Sequence, residues 1–273
     1  MRAFMQRLMA MLSLSLGLCI GATAQTGPQA AQVVVAAAAT ATPATRPALV
    51  DHSVVSAAHT GWMMTSTALV LLMTLPGIAL FYAGMVRRKN VLNTMASVVA
   101  VAALVSMLWF AAGYSLAFTP GSAWLGGVDR MGFTGLDFQL AAGKLAVSHV
   151  APHIPESVYA MFQLTFAVIT AALLVGALVE RMRFAVMLIF IGLWSLLVYA
   201  PVAHWVWGPG GWLAQMGTLD FAGGSVVHVN AGVAGLVCAW FLGRRTGYGR
   251  EPFEPYNLGL TMAGAGMLWV GWF

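Results

Sequence analysis

Charge is what this sequence has least of: Asp, Glu, Lys and Arg make up 8% of its 273 residues, against 60% hydrophobic residues. A soluble domain carries about a quarter charged residues, and no water-facing surface can be assembled from so few. The mean hydropathy of +0.84 agrees, so the chain is read as an integral membrane protein in contact with a lipid bilayer. The same scarcity excludes a nucleic-acid partner. The net charge of +5 comes from short basic clusters between apolar runs, and in membrane proteins such clusters report orientation. Cysteine is nearly absent as well. Of the two, Cys19 falls in a candidate export signal and leaves Cys238 alone, so no intrachain disulfide can form. No catalytic residue set, cofactor motif or metal-ligand set is read from the chain.

Residues 1–24 read as a cleaved signal peptide. Arg2 and Arg7 form the basic start, Leu8 to Ile20 the apolar middle, and Ala22-Thr23-Ala24 a small-residue cleavage site. Leu18 before Cys19 is too bulky for a lipoprotein signal; an uncleaved first span is the alternative. Residues 25–55, rich in Ala, Thr and Pro, read as a flexible exported arm. The remainder, 56–273, is one membrane domain.

Six apolar runs fall at about 62–85, 92–118, 157–179, 184–207, 222–242 and 257–273, each near the ~20 residues that cross a bilayer. Arg87, Arg88, Lys89, Arg181, Arg183, Arg244, Arg245 and Arg250 lie on one side of these spans. Arg46, Arg130 and Lys144 lie on the other. That asymmetry places the basic loops in the cytoplasm and the mature N-terminus outside, as the export signal also requires. The sixth run continues apolar to Phe273 without a polar flank. A helix end left in hydrocarbon strands its last carbonyls, so the sequence reads as part of a longer chain. Five spans and the start of a sixth suit one half and the beginning of an inverted second half, although no repeat is visible within these residues. The fold class is all-α, a polytopic membrane helix bundle.

Polar residues in such spans are costly and point to function. Asp220 stands just before the fifth span, placed to cap the amides of Ala222 or Gly223; a carboxylate at that mouth also favours a cation. His228, eight residues on, lies about 12 Å deeper at the helical rise of 1.5 Å. It is either a core histidine bonded across helices or an imidazole lining a solute path. Asn230 reads as inter-helix glue. Phe162 and Phe166, four apart, share a face at the start of span three; Trp205 and Trp207 end span four. These aromatics suit an interfacial belt or a cation–π cup, and Gly208-Pro209-Gly210-Gly211 lets the chain turn back beside them.

Four segments carry a family resemblance: Ala79 to Val91, Val175 to Phe184, His204 to Gly208, and above all Asp220 to Gly232, read Asp-Phe-Ala-Gly-Gly-Ser-Val-Val-His-Val-Asn-Ala-Gly. Together, from about residue 60 to the last, they resemble the ammonium transporters (the Amt/Mep/Rh family), in the bacterial form, in order and in register. The Gly208–Gly211 stretch is one residue longer than the family pattern. The resemblance implies two inverted five-span halves plus a last helix, of which residues 56–273 hold the first half and the start of span six. It also implies a homotrimer in the bacterial inner membrane, with one pore per subunit, ammonium, ammonia or methylammonium as the solute, and a cytoplasmic PII-type signal protein as partner.

Carried over by position, Phe166 matches the outer phenylalanine gate and Trp207 the recruitment tryptophan. Phe162 and Gln163 match vestibule positions, Asp220 the essential carboxylate, and His228 the first of two pore histidines. Trp272 matches a tryptophan near the pore midpoint, while the second pore histidine, second gate phenylalanine and recruitment serine fall beyond Phe273. The expected function is inward passage of ammonia, with or without a coupled proton, after recruitment of ammonium outside. The rival is a transporter-like sensor read by a cytoplasmic partner. A hydrolase built on Ser225 and His228 lacks a nucleophile-elbow signature, and the chain is expected not to be an enzyme.

Overall fold

The computed structural model describes residues 47–273, with Ala10 and Ser13 alone from the segment before them. Those two apart, the expected signal and the arm as far as residue 46 lie outside the described residues. Strand β1 (Ala48–Asp51) leads into helices α1 (Ala57–Met85) and α2 (Arg88–Phe118). Strands β2 (Lys144–Ser148) and β3 (Ala151–Pro155) come next, then α3 (Glu156–Leu178), α4 (Phe184–Gln215) and α5 (Gly224–Leu242). These five helices are each long and apolar enough to cross a membrane; a shorter apolar helix, α6 (Leu258–Gly271), follows. The protein is a multi-pass helical membrane bundle.

The all-α expectation holds for the bundle but omits a small antiparallel sheet in the order β1-β2-β3. The arm expected to stay flexible to residue 55 is ordered at its end, where Ala48 to Asp51 pair with Val147 to Lys144. Nothing local to these four residues announces the pairing, because the partner strand is almost a hundred residues away. α1 also begins earlier than hydropathy suggests, since Ser56 caps it by accepting from the His59 amide at 3.2 Å.

α3 is the central helix. It packs against α1, α2 and α5, and Ala160, Ala171 and Ala172 on it are completely buried. Small residues let neighbouring backbones approach, which is how helices associate where lipid supplies no hydrophobic drive. A Cβ on Gly176 would lie 2.6 Å from the Tyr82 ring, whose hydroxyl donates to the Leu173 carbonyl at 2.9 Å. α6 lies along α1 in the same manner: a Cβ on Gly84 would meet the Asn257 carbonyl at 2.6 Å. Four of the long helices contain a wider π turn, at Met73–Ile78, Trp109–Gly113, Ser195–Tyr199 and Gly224–Val229. The first surrounds Pro76, which has no amide to donate and would crowd the carbonyl four residues back.

Ion pairs fasten both ends of the bundle. At the basic end, Arg87 is buried rather than a solvated orientation charge. Its Nε donates to Glu180 at 2.9 Å and its Nη1 to Glu251 at 2.8 Å. A hydrogen bond from Lys89, with the Lys89 and Arg87 charges behind it, holds the Glu251 carboxyl below the usual carboxylate range. At the sheet end, Arg130 grips the fully buried Glu156 with two guanidinium nitrogens, at 3.1 and 3.0 Å. The Tyr114 hydroxyl donates to the same carboxylate at 3.0 Å. This pair ties the loop after α2 to the start of α3.

Arg130→Met should destabilise the bundle by roughly 3–5 kcal/mol, because it strands a buried carboxylate. Thermal unfolding of the detergent-solubilised protein checks this, and an unchanged midpoint would assign the pair no structural weight.

Candidate functional site

The start of α5 is built around one carboxylate. Gly223 takes a left-handed conformation (φ 83°), turning the chain so that Asp220 folds back over the first helical amides. Asp220 Oδ1 accepts from the Gly224 amide at 2.6 Å, and Oδ2 accepts from Ser225 and Val226, both at 2.9 Å. The cap expected at Ala222 or Gly223 therefore falls further along, at Gly224, Ser225 and Val226, because Ala222 and Gly223 form the turn and not the helix. α5 proper begins at Gly224, so His228 sits one turn into it, shallower than an unbroken helical rise from Asp220 implies.

The Asp220 carbonyl has a second task. It accepts from Trp207 Nε1 at 2.6 Å, fixing the indole where α4 breaks at Gly208. The Trp207 ring meets Phe166 edge-on, with centroids 5.8 Å apart, and Phe166 meets Phe162 at 5.0 Å. Trp205 takes no part. It is buried, donates to the Trp124 carbonyl at 2.8 Å and packs in a separate cluster with Trp124 and Trp212. His204, also buried, places its two ring nitrogens 2.9 Å from the carbonyls of Ala117 and Ser122, locking the end of α4 to the loop after α2.

Two cavities adjoin here. The wider, about 710 Å³, opens at the sheet end and is lined by His149, Tyr159, Phe162, Gln163, Phe166, Trp207, Asp220 and Phe221, with the Gly208–Gly211 turn. The narrower, about 230 Å³, is lined by Phe162, Phe166, Ile169, Phe221, His228 and Trp272, with α1 residues Leu69 and Met73. Phe162, Phe166 and Phe221 line both, and Phe221 is exposed. His228 faces Trp272 edge-on, centroids 6.4 Å apart, and is exposed in this chain, whereas Asn230 is buried.

All seven residues singled out in the sequence line these two spaces: Phe162, Gln163, Phe166, Trp207 and Asp220 the wider, His228 and Trp272 the narrower. Phe221, Tyr159 and His149 were missed. Phe221 follows Asp220 directly, so its neighbourhood was legible. Tyr159 lies one turn before Gln163, whose Nε2 donates to its hydroxyl at 3.2 Å. His149 comes from the sheet loop, and no sequence spacing relates it to α3 or α4. Among the described residues, no group of three or more His, Cys, Asp or Glu side chains is arranged to hold a metal ion.

These features define a class: a polytopic helical membrane protein whose spans carry an aromatic-walled cavity and, sharing its phenylalanines, a narrower one bearing a histidine. A model of the Ammonium Transporter Family matches residues 61–273. The chain is 49% identical over 214 residues to an ammonium transporter of Bacillus subtilis, covering 78% of this chain and 50% of that one. It is 48% identical over 216 residues to an ammonium transporter of Aquifex aeolicus, covering 79% and 48%. Among solved structures it resembles Candida albicans Mep2, with TM-score 0.70 and 33% identity over 82% of this chain and 48% of that one. A sensor Amt protein, at TM-score 0.66 and 24% identity over 78% of this chain and 52% of that one, shares the fold. The chain belongs to the ammonium transporter family, and it spans about half the length of the relatives it matches.

Asp220→Ala should leave the amides of Gly224, Ser225 and Val226 without their carboxylate acceptor. A lost N-cap costs ~0.5–2 kcal/mol in water, so the loss here should exceed that of a single cap. It should also blue-shift or broaden Trp207 emission as the tethered backbone loosens. Thermal unfolding and tryptophan fluorescence of the purified protein check both, and wild-type values for the two would contradict this account of the cap.

Proposed function

We propose that the whole protein recruits ammonium at the sheet-end vestibule and passes ammonia inward through the histidine-lined cavity. One observation carries the reading. The tethered Trp207 ring, the Phe166 ring and the Asp220 end line a cavity that shares Phe162, Phe166 and Phe221 with one containing His228. Moving a bare cation through hydrocarbon is prohibitive. A cation–π surface, worth ~0.5–2 kcal/mol as desolvation proceeds, compensates for lost water only at the mouth. The narrower cavity is lined mostly by apolar side chains, with Ser66 and His228 among them, which suits neutral ammonia, and His228 offers it a hydrogen bond. Asp220 supports recruitment indirectly: its carboxylate oxygens are engaged by amides, and its charge opposes the approach of anions.

In this reading the sheet end faces outward, the basic end faces the cytoplasm of a bacterium, and residues 1–24 direct export. Assembly as a homotrimer and regulation by a PII-type protein belong to the same proposal, as does completion of the pore by residues outside this chain. The sensor alternative shares the recruitment site and differs in having no net flux.

The test is uptake of labelled methylammonium, and growth on low ammonium in mildly acidic medium, by a strain without its own transporter. Full-length protein should restore both. Growth no better than empty vector, with membrane insertion verified, would overturn transport and leave the sensor.

In the same assay Trp207→Leu should weaken apparent methylammonium affinity by roughly tenfold, the equivalent of a partly desolvated cation–π contact. Trp207→Phe, which keeps a ring but loses the bond to Asp220, should fall between. Identical concentration dependence for all three would reduce Trp207 to a packing residue.

A further inference from the structure

Two histidines from distant parts of the chain meet at the sheet end, and neither lines the two cavities described above. His59 lies in the first turn of α1 and His153 in β3, with ring centroids 6.3 Å apart. Ser56 holds both. Its amide donates to the His153 carbonyl at 2.9 Å, and its hydroxyl accepts from the His59 amide at 3.2 Å. Backbone bonds thus set the relative position of the two residues, while both side chains stay exposed and can turn. They border a third cavity, of about 290 Å³, whose wall also includes Trp62 and Met63.

We propose that His59, His153 and Met63 bind a single copper(I) ion at the sheet end. An imidazole nitrogen bonds a metal at ~2.0–2.1 Å, so each ring centroid lies about 3.2 Å from the ion, and two rings sharing one ion have centroids no more than about 6.4 Å apart. At 6.3 Å the pair is inside that limit, at its wide-angle end. Copper(I) accepts two or three ligands at wide angles, whereas zinc takes four in a tetrahedron. Met63 follows His59 by four residues, which puts it on the same face of α1, and a thioether is a soft ligand that favours copper(I). A harder ion needs further imidazoles or carboxylates. The rest of the wall is Trp62, Val150, Ala151, Pro152 and Ile154, which offer none.

A bound ion joins the start of α1 to the strand that runs directly into α3. Val150 lines both this cavity and the vestibule, so the two spaces are neighbours. The three ligands take no part in the recruitment scheme, and the proposal stands independently of the transport reading.

The test is titration of copper(I), under reductant and against a chromophoric chelator, into full-length protein purified in detergent on a tag without histidine. His59→Ala/His153→Ala should bind one copper(I) fewer per chain than wild type. Losing even a group that only orients a ligand costs about 10–100-fold in metal affinity, so each single histidine variant should weaken this site at least about a hundredfold. Met63→Leu, which keeps the volume and removes the sulfur, should weaken copper(I) about tenfold and leave zinc(II) unchanged. His52→Ala, an exposed histidine of the same end whose ring faces the Gly143 carbonyl, should match wild type. Detergent sizing verifies each variant, and X-ray absorption at the copper edge of wild type should show nitrogen and sulfur neighbours without relying on any variant. Equal copper(I) stoichiometry and affinity in wild type and the double variant would overturn the proposal. Tighter zinc(II) than copper(I) binding, or an unaffected Met63→Leu, would overturn the assignment of copper(I) to the site.

Discussion

Three amide protons at the start of α5 have one carboxylate to receive them, and much of the site follows from that. The first amides of a helix have no acceptor within the helix itself. Asp220 must therefore fold back over Gly224, Ser225 and Val226, and Gly223 must adopt the left-handed turn that lets it. The same turn presents the Asp220 carbonyl to Trp207, and the fixed indole in turn sets the position of Phe166. A backbone requirement thus positions the aromatic surface and, one helical turn deeper, the imidazole of His228. Asp220 is a structural cap, with both carboxylate oxygens engaged by backbone amides.

Around that cap the bundle is held by close backbone approach rather than by large side chains. Ala160, Ala171 and Ala172 on α3, Gly176 beneath Tyr82, and Gly84 against α6 bring the helices near enough for dispersion and inter-helix hydrogen bonds to hold them. Charges are confined to the two ends, where Arg130–Glu156 and Arg87–Glu180 pair in buried or half-buried settings. Such pairs contribute less to net stability than to fixing which segments meet, because desolvation offsets much of their attraction.

The parts legible in sequence are those set by local pattern. Hydropathy located the membrane spans because each is longer than ~17 residues and nearly uncharged, and the motif from Asp220 to Gly232 supplied two of the cavity positions, Asp220 and His228. The parts missed depend on distant partners. β1 pairs with a strand reached only after two membrane crossings, and a four-residue segment of Ala, Leu, Val and Asp carries no sign of it. His149 lines the vestibule only because the sheet folds over the end of α3. Arg87 belongs to a cluster of basic residues that looks solvated in sequence, yet it is enclosed by Glu180 and Glu251, acids 93 and 164 residues further along. The cap on α5 was misplaced by a few residues because a glycine turn interrupts a run that hydropathy treats as continuous.

The π turns bear on how this chain tolerates change in length. Each accommodates one residue more than an ordinary helical turn, so it acts as an absorbed insertion. Removing one residue from Met73–Ile78, Trp109–Gly113 or Ser195–Tyr199 lets the turn relax to α geometry while both flanking faces keep their phase. The same deletion elsewhere in these helices rotates everything beyond it by ~100°. The fourth turn, Gly224–Val229, contains His228 itself. There the slack and the cavity-lining imidazole coincide, and α5 cannot lose a residue upstream of His228 without changing which side chain meets the narrower cavity.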